Sequence, residues 1–251
     1  MNDLSALQLV PGLDGWTTLA LVALSFCTSL ITATFSLGGG SLMIAAMTLV
    51  LPPLVVVPVH GCVQLGSNAG RSWVMRAHIQ WDFILWVSLG AAIGSVIGGS
   101  FANLLPERWF AAAIGLFVLA TTWLPLGGFI AKNRPLQFFG GMVVSAVGMV
   151  VGAAGPLVAA FVRGIPDRRQ LVATHAMLNT FQHVFKVVVF VALGFAIGEY
   201  LLLILVMVVA GFAGTALGSR MLTRVPEHVF RLVFRILLSL VALELIRRAL
   251  V

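Results

Sequence analysis

His60-Gly61-Cys62-Val63-Gln64-Leu65-Gly66-Ser67-Asn68-Ala69-Gly70-Arg71 is a stretch that the chain writes twice. Its polar members His60, Gln64, Ser67, Asn68 and Arg71 return as His175, Asn179, Gln182, His183 and Lys186, each 115 positions later. At about 100° per residue of α-helix, the five positions of either set fall within an arc of about 100°, so each copy is one polar face. Every other residue between 54 and 70 is apolar, Gly or Pro. A polar stripe that ends in a cation, on a helix otherwise suited to lipid, is costly to bury and marks a functional site.

The rest of the chain suits lipid as well. Of 251 residues, 60% are hydrophobic and 9% charged, and the mean hydropathy is +1.08. That composition excludes a soluble domain and predicts an all-α polytopic membrane protein. The net charge of +7 reads as loops facing anionic lipid, with no nucleic-acid partner implied. Met1-Asn2-Asp3 lacks the basic region of a cleaved signal peptide, so the N-terminus is expected to be retained. Cys27 and Cys62 both lie in apolar segments and read as small packing residues, neither a disulfide framework nor a metal spacing.

Outward from the stripes, the two halves follow one plan. Residues 16 to 51 are apolar and broken by Ser36-Leu37-Gly38-Gly39-Gly40-Ser41. Pro52-Pro53 and Pro58 mark a connection to a helix of about 59 to 76, followed by spans of about 82 to 105 and 107 to 131. After the charged linker Lys132-Asn133-Arg134-Pro135 the pattern restarts. Residues 136 to 163 are broken by Gly152-Ala153-Ala154-Gly155-Pro156, and helices of about 171 to 195, 199 to 219 and 227 to 246 follow. Pro106-Glu107 and Pro226-Glu227 open the last span of each half. Gly94 and Gly98 answer Gly214 and Gly218, in rows of small residues that suit close helix packing. The expected division is a first transmembrane repeat over 1–131 and a second over 132–251.

Loop charges orient the halves. With each broken segment taken as a plain crossing, eight in all, Lys and Arg divide almost evenly. If 16–51 and 136–163 instead dip in and return as re-entrant hairpins, Arg76, Lys132, Arg134, Arg163, Arg168, Arg169, Arg220 and Arg224 gather on one side. Only Arg108, Arg247 and Arg248 remain opposite, and the positive-inside rule favours this arrangement. Thirty-six residues also make about 54 Å of helix, where one crossing needs about 30 Å. The expected fold is therefore two inverted repeats, each a broken-helix hairpin plus three transmembrane helices, with both termini outside.

Each break leaves free N–H groups at a half-helix N-terminus, where partial positive charge attracts anions; the plainer reading is a tight turn. Matched breaks in a repeat point to a carrier's site. The candidate substrate-binding residues are Gly38, Gly39, Gly40 and Ser41 with His60, Gln64, Asn68 and Arg71, and Gly152 and Gly155 with His175, Asn179, His183 and Lys186. Two readings of Arg71 stand: five residues before Arg76, it either snorkels to the inner surface or faces substrate. Lys186 has no charged neighbour in sequence between Arg169 and Glu199. An anionic substrate would answer it, as would Glu199 or Glu244 brought close by the fold. The histidines are hydrogen-bonded core groups or proton carriers; a metal site is disfavoured where the repeat helices hold cations and no carboxylate. Arg231 and Arg235 follow Glu227 at four-residue steps, as a charged face near the inner surface would. Neither a catalytic Ser/His/Asp order nor a nucleotide fingerprint occurs, so no enzyme and no cofactor is expected.

Ser36-Leu37-Gly38-Gly39-Gly40-Ser41, with its echo Gly148-x-x-x-Gly152-Ala153-Ala154-Gly155-Pro156, resembles the glycine-rich signature of the TauE/SafE sulfite exporter family. The second copy departs from it with alanines at 153 and 154. The resemblance implies a secondary carrier in the cytoplasmic membrane that exports sulfite, an organosulfonate or a related sulfur oxyanion. An anion channel, or an intramembrane enzyme, is the alternative.

Overall fold

The structure, a computed structural model, describes residues 9–10, 13–35, 38–102, 104–124, 133–162, 164–221 and 227–250. Ser36, Leu37, Lys132, Arg163, Arg224, Pro226 and the first residues of the chain lie outside the described residues, as does the expected boundary at 131/132. Among those described there is no strand. The α-helices are α1 (Gly15–Phe35), α2 (Gly39–Met47), α3 (Pro53–Val74), α4 (Trp81–Ala102), α5 (Glu107–Trp123), α6 (Arg134–Val151), α7 (Gly155–Val162), α8 (Arg168–Ala192), α9 (Leu201–Met221) and α10 (Glu227–Leu250). With α1–α2 and α6–α7 each counted as one broken segment, the described α-helices make eight segments.

Local chemistry sets the ends. Asp14 accepts the Thr17 N–H at 2.8 Å and the Thr17 hydroxyl at 2.9 Å ahead of α1, and these bonds hold its carboxyl below the usual value. Asn133 accepts from the Leu136 N–H ahead of α6, and Asp167 from the Gln170 N–H ahead of α8. Gly152 ends α6 at φ 73°, a left-handed conformation that costs a residue without a Cβ nothing. One expectation fails here. Pro58, read as part of a connection, lies inside α3, which starts at Pro53. Val56, Val57 and Val59 around it are fully buried, and packing of that kind compensates the one helix bond a proline removes.

Burial is inverted relative to a soluble protein. Leu85, Leu89, Ile93 and Ile97 of α4, Leu205, Val209 and Phe212 of α9, and Ile236, Leu240 and Leu243 of α10 are exposed. His60, Asn68, His175, Asn179, Gln182, His183 and Lys186 are buried. Such a surface is stable only in lipid. Four helical stretches are long and apolar enough to cross a membrane: Gly15–Ala33, Trp81–Ala102, Arg134–Val151 and Ile197–Gly218. Two of them, Trp81–Ala102 and Ile197–Gly218, are among the six expected crossings, and the other two, Gly15–Ala33 and Arg134–Val151, lie in the segments expected to dip in and return. The other four expected crossings fall short for a physical reason. The polar stripes lower the hydropathy of α3 and α8, α10 carries several charges, and α5 with 17 residues is only about 26 Å long. Arg76 over Trp73, Arg108 over Trp109, Arg134 over Trp86 and Arg235 over Trp123 pair cations with rings, with centroid distances of 4.9 to 5.7 Å. Such pairs suit a membrane–water interface.

The helices pair crosswise between the halves. α1 packs along α9, α4 along α6, α3 against α8 and α5 against α10. The small-residue rows make the first two pairs possible. A Cβ on Gly90, Gly94 or Gly98 of α4 would strike the α6 backbone at Phe138, Met142 or Ala146, and one on Gly214 or Gly218 of α9 would strike α1 at Phe26 or Leu30. Buried serines fasten the same pairs: Ser95 to Ser145 at 2.7 Å, and the Ser25 hydroxyl to the Met207 carbonyl at 2.6 Å. Because α1 presents Ser25, Phe26 and Ser29 to α9, Cys27 is turned outward and exposed. The packing role read for it is not found.

Candidate functional site

The two breaks do not fall midway in their segments. α1, at 21 residues, is of full crossing length, about 31 Å. The short α2 begins only after it, at the Gly38 cap with φ 100°, and lies back against α1. Gly39 is where that return is tightest: a Cβ there would strike the Thr28 carbonyl and the Thr32 hydroxyl of α1. In the second half α6 ends at Gly152 and α7 starts at Gly155. The breaks come together in space, since Gly152 lies against Ile44 of α2 and Val57 of α3.

Each break is held by the histidine of its own half. The His60 Nε2–H donates to the Gly40 carbonyl at 3.0 Å, and His175 Nε2 meets the Gly155 carbonyl at 3.2 Å, twenty positions apart in both cases. Gly40 and Gly155 are themselves 115 positions apart, so the repeat extends from the stripes to the breaks. Gln64 stands beside Gly40, its Nε2 2.5 Å from where a Cβ would sit, and its counterpart Asn179 stands 3.9 Å from the same point on Gly155.

The stripes meet across the α3–α8 seam. The rings of His60 and His183 make an edge-on contact with centroids 5.9 Å apart, and the aliphatic part of Lys186 packs over Gly61. Gly61, which sequence reading did not single out, is therefore where Lys186 meets α3; its only signal was a glycine one step from the stripe. Gln80, just past α3, bonds Thr174 and Gln170 near the start of α8, whereas His60 meets His183 farther along it. Advancing along α3 from His60 to Arg71 thus corresponds to retreating along α8 from His183 to His175. The two cations do not converge: Lys186 lies level with Gly61, ten residues before Arg71 on the same helix, about 15 Å away.

Lys186 is 2% exposed, and its ammonium donates to the Gly152 carbonyl at 2.7 Å. Neither carboxylate considered for it is its partner: Glu244 pairs with Arg247 and Arg248 at 2.8 Å, and Glu199 sits in the short 3₁₀ turn before α9. Arg71 is half-buried, with no hydrogen bond or ion pair among the described residues. Asn68 donates to the Gln64 carbonyl, and Asn179 to the carbonyl of His175, with the His175 Nε2 within 3.1 Å. Ser41 Oγ, His60 Nδ1, His183 Nδ1 and Gln182 Nε2 are buried without a hydrogen-bond partner, although the Gly152 carbonyl also acts on His60. Buried polar atoms are rarely left so. Gln182 joins the candidate residues on this ground, and its place in the second stripe was the signal. No cluster of His, Cys, Asp and Glu suited to a metal occurs among the described residues.

A lipid-faced helical bundle with a polar seam inside, carrying cations and glycine breaks, is an integral membrane protein by class. The chain belongs to the sulfite exporter TauE/SafE family, whose model matches residues 21–245. No curated protein and no solved structure matches it.

Proposed function

We propose that the chain exports a small sulfur oxyanion, sulfite or an organosulfonate, across the cytoplasmic membrane as a secondary carrier. The observation that carries this reading is Lys186, buried with its ammonium on the Gly152 carbonyl of the second break and with no carboxylate as partner. A buried cation compensated only by a dipole invites an anion. The free N–H groups of α2 supply donors on the other side of His60. Arg71 serves the opposite end of the seam, where an anion enters or leaves. An inside-negative potential favours outward movement of an anion by about 2.3 kcal/mol per charge per 100 mV, so export needs no coupling ion.

The halves 1–131 and 132–251 act in this reading as inverted repeats, with α1–α2 and α6–α7 as re-entrant arms. The crosswise pairing of α1 with α9 and α4 with α6, and the opposed running of α3 and α8, support it. Asp3→Cys and Leu250→Cys, each in a background lacking Cys27 and Cys62, are both expected to react with an impermeant maleimide on intact cells. Protection of both would reverse the orientation, and protection of one alone would end the inverted-repeat topology.

In proteoliposomes, saturable uptake of labelled sulfite with counterflow on trans loading is the expected behaviour. Flux that neither saturates nor shows counterflow would make the protein a channel, and recovery of a chemically altered anion would make it an enzyme.

A further inference from the structure

We infer that the two breaks, although repeated in sequence, do different work, and that a single anion is held between them, by donors of the first, the α2 N-terminus and Ser41, and by His183 and Lys186 of α8. This rests on the carrier reading above and narrows it to the donors of one break.

The argument begins with what stands at matching positions. Gly40 and Gly155 match, and both accept a histidine. Ser41, one residue on, is matched by Pro156, and Gly38 and Gly39 by Ala153 and Ala154. Ser41 brings both a backbone N–H and a hydroxyl to the first turn of α2; proline brings neither donor. The Ala154 methyl further fills the second break, lying 2.7 Å from where a Cβ on Gly148 would sit.

The hydrogen bonds divide in the same way. In the second break the polar groups are occupied among themselves, His175 with the Gly155 carbonyl and Asn179 with His175. At the first break, Ser41 is 4% exposed and its hydroxyl has no partner, nor does His183 Nδ1, on the ring that abuts His60. Lys186 spends one of its three N–H donors on the Gly152 carbonyl and has two others to offer without leaving it. The first break therefore brings a free hydroxyl and the free N–H groups of a helix terminus, while a buried cation with two donors to spare lies on the carbonyl of the other. That set matches one anion bearing several oxygens on a small centre. The first half supplies the helix terminus and the second half the charge, so the site requires both halves although only one break supplies its donors.

Binding to purified full-length protein in detergent tests this, with sulfite and methanesulfonate as probes, by titration calorimetry and by the rise of the unfolding midpoint. One anion per chain is expected. Ser41→Ala should bind at least about tenfold more weakly, a hydrogen bond to a charged group being lost, while Ser41→Thr retains most of the affinity. Pro156→Ala should bind as the unaltered protein does. Two anions per chain, unchanged affinity in Ser41→Ala, or an equal loss in Pro156→Ala would each overturn the one-anion site with its first-break donors while leaving the carrier reading intact. Failure of the unaltered protein to bind either probe would remove both.

Discussion

Lys186→Met is expected to weaken binding of sulfite and methanesulfonate about ten- to a hundredfold, without lowering the unfolding midpoint of the empty protein. A charge-assisted hydrogen bond in a dry site contributes about 1.5–3 kcal/mol, which sets the size of the loss. The stability term has two parts of opposite sign. Removing the ammonium takes from the Gly152 carbonyl, at the C-terminus of α6, its charged donor, at a cost of about 1–3 kcal/mol. It also removes a buried charge that no carboxylate offsets, and such a charge costs several kcal/mol to keep. The second part is the larger, so the midpoint should hold or rise. Methionine also keeps the apolar packing over Gly61. A fallen midpoint with unchanged affinity would show that Lys186 is only a cap for α6. Arg71→Met, on the half-buried cation about 15 Å along the seam, should weaken binding less and slow transport.

Gly39→Val should abolish transport. A branched side chain at that position meets the Thr28 carbonyl and the Thr32 hydroxyl of α1, which forces α2 off its helix and takes the donors of its first turn away from the seam. Since so tight a clash also threatens folding, Gly40→Ala is the companion variant. Its methyl meets only the end of a flexible side chain, Gln64 Nε2 at 2.5 Å, so the protein should fold and insert normally. Displacing that amide should lower transport about tenfold, as one lost hydrogen bond would. Normal transport by a well-folded Gly40→Ala would remove Gln64 from the site, and normal transport by Gly39→Val would remove the first break from it.

Much of the site was legible in the chain because a helix converts sequence spacing directly into a face. His60, Gln64, Asn68, His175, Asn179, His183 and Lys186 were found from their spacing alone, and the structure buries or half-buries all of them along the α3–α8 seam. The glycine breaks were legible because only residues without side chains tolerate the backbone conformations at Gly38 and Gly152. Other features depend on which helix faces which. Pro58 looked like a connection, since the buried valines that compensate it are a matter of packing. Cys27 looked internal because no property of its own segment says which side of α1 meets α9.

Composition and periodicity therefore determined that the chain is helical, lies in lipid, is written twice and carries a polar, cationic stripe in each half. These follow from interactions within a turn or two of helix and from the cost of polar groups in hydrocarbon. The tertiary structure alone decided that α1 pairs with α9 and α4 with α6, that Lys186 lies over Gly61 with its ammonium on Gly152, and that Arg71 stands apart from it. Those contacts join residues 34 to 182 positions apart. At such separations the pairing is chosen by the fit of glycine rows to facing backbones and by where buried donors find carbonyls, neither of which leaves a periodic mark in either partner.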